Sequence, residues 1–302
     1  MLNFLLKAGV SLAIFAILFY KIPFHELKPY ISSINLGWFA LSIIVQLLGA
    51  LLAALRWSMI MNSLKFVASK TFYIQKSFIG VMFNQILPTS IGGDAYKILA
   101  VSKLNRGKKM AVMGVLIDRL YGLAGLILIN VCSLPIVYHL LPPSIFWLII
   151  LVNMGFFLGL ALLISIALLK LSFKHFSLKP ISDLAHELAA SVSSYKDFFI
   201  KIILAGLPNL ITLYSFVLIA YAAHIHTSFA DLISITPSTI LLMMVPISLG
   251  GWGVREGAMV FLGGLIGLTH PEALALSLLF GFNNLLTSIP GLYLYLRSLR
   301  RR

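Results

Sequence analysis

The residues able to do chemistry are few, and two groups of them share a pattern. Pro88-Thr-Ser-Ile-Gly-Gly93 and Pro246-Ile-Ser-Leu-Gly-Gly251 both read Pro-x-Ser-[Ile/Leu]-Gly-Gly. Each follows mostly apolar sequence and precedes one acid and one base, Asp94 with Lys97 in the first and Arg255 with Glu256 in the second. Proline and paired glycines interrupt a helix. Inside a membrane, the backbone groups released in this way survive only when buried in protein or facing a polar cavity. A half-helix starting after each Gly-Gly turns its N-terminal amides into that cavity, where amides and helix dipole favour an anion. Lys97 and Arg255 add to that preference, and Asp94 and Glu256 neutralise them when the cavity is empty. The candidate binding residues are Pro88, Ser90, Gly92, Gly93, Asp94 and Lys97 at one motif, and Pro246, Ser248, Gly250, Gly251, Arg255 and Glu256 at the other. A phosphate or carboxylate is the expected ligand. Plainer readings stay open beside this one: glycines for close packing, prolines for kinks, serines bonded to freed carbonyls, and Arg255 with Glu256 as structural glue.

Three further residues join the candidates. Asp118 lies nine residues beyond Lys109, roughly 13 Å into a helix, and Arg119 follows it. Adjacent helical residues do not face each other, so the two are expected to find separate partners. Arg255 is one choice for Asp118, and a lipid headgroup is another. Asn84 sits just before the first break and is expected to line a headgroup path, whereas Asn283 and Asn284 are expected to bond between helices. His224 and His226 read as solvated loop residues. Catalytic signatures are absent: His186-Glu187 has no second histidine at zinc-binding spacing, and neither G-x-S-x-G nor G-x-x-x-x-G-K-[ST] occurs. Cys132 is the sole cysteine, so no disulfide or cysteine-based metal site is available. No enzyme activity, no metal and no cofactor are expected.

The elements that position these residues follow from composition. Of 302 residues, 60% are hydrophobic and 11% charged, with mean hydropathy +1.00. Such a chain cannot cover itself with polar groups and must face lipid. It is an all-α polytopic membrane protein. Residues 120–169 form a charge-free run of 50, broken by the prolines of His139-Leu-Leu-Pro-Pro-Ser144, which gives two spans joined by a turn. Further spans are expected near 36–55, 202–222 and 273–296. Residues 8–20 read as an uncleaved first span, because no small-residue cleavage site follows them.

Charge sets the orientation. Segments 56–76, 97–109, 170–201 and 297–302, with Lys7, hold 19 of the 23 Lys and Arg. That face is expected to be cytoplasmic, with both termini inside, and the net charge of +14 is topological rather than a sign of nucleic acid. Both flanks of the first motif then lie inside and both flanks of the second lie outside. The expected architecture is span, re-entrant hairpin, span, occurring twice in inverted orientation, over about 36–138 and 202–296, plus extra spanning helices. Residues 1–302 form one transmembrane domain, and 170–201 read as a basic amphipathic segment on the cytoplasmic surface.

With Asn84-Gln-Ile-Leu-Pro-Thr-Ser-Ile-Gly-Gly-Asp94 and Pro246-Ile-Ser-Leu-Gly-Gly-Trp-Gly-Val-Arg-Glu-Gly-Ala258 in view, the chain resembles the lysylphosphatidylglycerol synthase transmembrane region family, the flippase-like membrane domain also found in multiple peptide resistance factors. The resemblance runs from the first span to about Arg297. It implies movement of a polar lipid between leaflets of the cell membrane. The soluble domain that makes the aminoacylated lipid in fused members is not expected in this sequence, which reaches Arg302 just after the last span, so aminoacyl transfer is not implied. Membrane lipids are the expected partners. The alternatives are a small-anion transporter or channel, and a non-catalytic membrane partner of a lipid-synthesis, lipid-modifying or glycosyltransferase enzyme.

Overall fold

The computed structural model describes residues 2–87, 91–173, 178–244, 248 and 251–300. Among the described residues there are thirteen helices and no strand. They are α1 (Leu2–Lys21), α2 (Phe24–Ser32), α3 (Leu36–Ser63), α4 (Lys70–Ile86), α5 (Gly92–Val101), α6 (Gly107–Leu140), α7 (Pro143–Leu168), α8 (Lys179–Ala190), α9 (Tyr195–Ala222), α10 (Phe229–Met244), α11 (Val254–Leu265), α12 (His270–Thr287) and α13 (Ile289–Leu299). Their starts are written locally. The Asn35 side chain accepts from the Gly37 and Trp38 amides, Ser69 from Phe72, and Ser194 from Asp197. Thr269 and Glu272 close a capping box, and Pro143 opens α7.

Five helical stretches are long and apolar enough to cross a membrane: α3, α6, α7, α9, and α12 with α13 taken together. The protein is therefore an all-α polytopic membrane protein. α7 is the most exposed of the five and α12–α13 the most enclosed. Two sequence expectations need adjustment. The N-terminal stretch, expected as a span over 8–20, turns by 91° between α1 and α2 and is long and apolar enough to cross only if the bent pair counts as one span. The span expected near 273–296 breaks at Ser288, just before Pro290, into α12 and α13.

Close approach of backbones replaces hydrophobic drive in such a bundle. A Cβ on Gly125 would strike the Ala205 carbonyl where α6 crosses α9, and one on Gly291 would strike the Phe78 carbonyl where α13 crosses α4. At the C-terminal end of α3, Asn105 clasps the neighbouring loop: it accepts from the Val67 amide at 3.0 Å and donates to the Lys65 carbonyl at 2.9 Å. The start of α4 and the end of α5 therefore share that end. At the opposite end of α3, the Asn35 amide donates to the Ala222 carbonyl at 2.8 Å. Ile225, just before α10, and Leu268, just after α11, fall in one buried cluster with Phe39, near the start of α3. α1 seats on the sequence between α10 and α11: Ser11 Oγ donates to the Trp252 carbonyl at 2.9 Å, and Phe15 lies 6.4 Å from the Trp252 ring.

Candidate functional site

The first site forms where α3, α4, α5 and α6 meet. Gly93 makes it possible: it lies so close to α4 that a Cβ would collide with the Gly80 carbonyl and the Asn84 side chain. Its amide donates to Asn84 Oδ1 at 2.7 Å. Asn84 thus ties α4 to α5 and consumes one of the amides expected to face a ligand. One turn further along α5, Lys97 lies across Gly80, with its ammonium 4.7 Å above the Trp57 ring and 3.7 Å from Asp118 Oδ2. The other oxygen of Asp118 receives Arg56 Nε at 2.9 Å, and Arg56 Nη1 donates to the Leu204 carbonyl at 3.3 Å. Arg119 pairs with Asp94. Three bases and two acids from three helices therefore interlock, and their ionic sum is +1. Under them the Trp57 and Tyr73 rings meet edge to face at 5.2 Å, and both side chains are fully buried.

The second site is closed on itself. Gly253, with φ 86, occupies a backbone region where a side chain is strained, and it caps α11. Its amide donates to Glu256 Oε2 at 2.6 Å, so the protein's own carboxylate takes that helix start. Arg255 donates through Nε to Glu256 Oε1 at 2.9 Å and to Ser277 Oγ at 3.2 Å. Its guanidinium lies 4.5 Å from the Trp252 ring and 5.8 Å from the Phe280 ring. Gly281 leaves the room this requires, since a Cβ there would meet the guanidinium.

Asp118 and Arg119 do take separate partners, as helix geometry requires, but Asp118 pairs with Arg56 and Lys97. The Asp118–Arg255 pair does not form, because Arg255 is held by Glu256 on α11. Gly92 is packed against Leu87 and the Phe83 carbonyl. Gly251 adopts φ 85, and Ser248 is buried with no hydrogen-bond partner for its hydroxyl among the described residues. Pro88, Ser90, Pro246 and Gly250 lie outside the described residues. Asn283 donates to Ser42 Oγ at 2.6 Å and Asn284 accepts from Gln46 at 3.4 Å, both between helices as expected.

Sequence reasoning missed Arg56, Trp57 and Tyr73. Arg56 reads as a topological marker because it ends a charge-free run, yet α3 continues seven residues beyond it, so its side chain stays inside the bundle. Lys201 likewise counts among the charges of one face, and its side chain too lies inside the bundle. It is wholly buried, with Asp197 and the Ser191 carbonyl at 2.6 Å and Ser63 Oγ at 2.8 Å.

These charged half-helices sit in a sequence whose residues 4–291 match one family model, that of the lysylphosphatidylglycerol synthase TM region. The chain belongs to that family. No curated protein and no solved structure matches it. Membership agrees with the motif resemblance, and the family is defined by a membrane region and not by a catalytic domain, so the ion-pair clusters of this family member belong to a polytopic membrane protein.

Proposed function

We propose that this member of the family moves a polar lipid between the leaflets of the cell membrane and carries out no bond chemistry of its own. The observation behind the reading is the pair of short packed units, α4–α5 and α10–α11. At 1.5 Å per residue, α5 and α11 are about 15 and 18 Å long, well short of the roughly 30 Å of a bilayer core. Each carries charged residues in its first turns, Asp94 and Lys97 on α5 and Arg255 and Glu256 on α11. Charge held at such depth is costly and is retained for pathways. In this reading the units act as inverted halves, both termini face the cytoplasm, and the headgroup passes between them with its tails left in the bilayer.

The test is a leaflet-exchange assay on the purified chain in proteoliposomes containing a trace of headgroup-labelled phospholipid. A membrane-impermeant quencher should remove fluorescence beyond the outer-leaflet half in vesicles with protein and stop at half in vesicles without it. Equal residual fluorescence in both would overturn the proposal. Uptake of a soluble anion with no lipid exchange would replace it with the anion-transport reading, and exchange that appears only with a co-purifying lipid-synthesis enzyme would replace it with a partner role.

A further inference from the structure

Against the first hairpin, two bases share one carboxylate. Arg56 and Lys97 share the single carboxylate of Asp118, while Asp94 is engaged by Arg119. Beside them, Trp57 Nε1 and Tyr73 Oη are buried with no hydrogen-bond partner among the described residues. An indole N–H can only donate, and a phenol O–H donates as readily as it accepts. Buried polar groups without partners are rare in folded proteins, and each calls for an explanation such as an absent water or ion. Here the ionic surplus and the indole donor call for the same complement, an anion rich in acceptor oxygens. At the second hairpin the base Arg255 is matched by its own carboxylate, Glu256.

The two bases differ in how firmly they are held. Arg56 is fixed by Asp118 at 2.9 Å and by the Leu204 carbonyl, whereas Lys97 sits 3.7 Å from Asp118 at the end of a flexible stem over the Trp57 ring. Lys97 is the group able to leave Asp118 for an incoming ligand. The side chain of Arg119 is 36% exposed against 14% for Lys97 and 9% for Asp118, so the cluster is least enclosed at Arg119. Deepening the lipid-translocation reading on which it rests, we propose that Lys97 and Arg56 seat a phosphate-class oxyanion, with Trp57 and Tyr73 as neutral donors and Asp118 holding the bases in its absence. The phosphate is that of a lipid headgroup or free inorganic phosphate, which share this chemistry.

Calorimetric titration of the full chain in detergent separates these sources, using a short-chain phosphatidylglycerol, the matching diacylglycerol without phosphate, and inorganic phosphate. The phosphatidylglycerol should bind and the diacylglycerol should not. Inorganic phosphate that competes with the lipid marks a site for the free anion as well, and failure to compete restricts the site to lipid. Lys97→Gln should weaken binding about tenfold or more, in line with the loss of a charge-assisted contact, and the exposed Lys108→Gln should leave it unchanged. Trp57→Phe and Tyr73→Phe retain the ring packing and should each weaken it severalfold, so folded variants test the site even if Lys97→Gln does not fold. Equal affinity for the phosphate-free lipid, or affinity unchanged in both Trp57→Phe and Tyr73→Phe, would overturn the assignment. Phosphate binding with this profile in a protein that exchanges no lipid would refute translocation and leave the site standing, whereas lipid exchange without such binding would do the reverse.

Discussion

At the residue scale, the two charged clusters differ in what they ask of their surroundings. Arg255 and Glu256 are sealed together, and removing one partner of a buried pair strands the other charge at a cost of about 3–5 kcal/mol. Arg255→Met or Glu256→Gln alone is therefore expected to lower thermal stability strongly in detergent, and the double variant to recover part of the loss. Full additivity of the two single losses would show that the pair is not the unit. This also makes Arg255, held by Glu256, a poor first choice for probing ligand binding. The sequence suggests that Asp118 and Arg119 take separate partners, because adjacent side chains well inside a helix diverge, whereas Arg255 and Glu256 meet at the first turn of α11. It does not reveal which base reaches Asp118, because Arg56 is 62 positions away and only packing brings α3 against α6. Asn84 illustrates the same gap: its place beside the break suggests a polar path, but its amide oxygen is taken by Gly93.

At the scale of elements, the hairpin α4–α5 depends on one contact between backbones. Gly93→Ala pushes a methyl into the Gly80 carbonyl and Asn84, and overpacking of this kind costs about 1–3 kcal/mol. A correspondingly lower unfolding temperature is expected, with Gly264→Ala, which meets nothing within 4 Å, as the neutral comparison. Most element boundaries were legible, since charge-free runs, proline turns and Asn, Ser or Thr caps leave marks in sequence. The 91° turn after α1 and the break before α13 were not, because Pro23 and Pro290 mark an interruption without fixing the angle at which the next helix leaves or whether one follows. The side on which each hairpin opens has a direct check. Single cysteines at Arg106 and at His226, placed after Cys132 is replaced, should react with an impermeant thiol reagent from opposite faces of sealed vesicles. Labelling of both from one face would remove the inverted arrangement.

At the scale of the whole molecule, the two halves meet through contacts between residues far apart in sequence. Ser11 bonds to Trp252 and Ser42 to Asn283, each pair separated by 241 positions. This long reach has a bearing on how the protein is made. At a ribosomal pace of about 5–20 residues per second, α1 and α3 enter the membrane roughly 10 to 50 s before the helices that complete them. Throughout that interval Ser11 lacks its bond to the Trp252 carbonyl and Ser42 its bond from Asn283. Biogenesis thus includes a waiting period that the finished bundle conceals. A factor that shelters polar faces of newly inserted helices would act on this chain during its synthesis, and slowing translation near Trp252 would prolong the need for it.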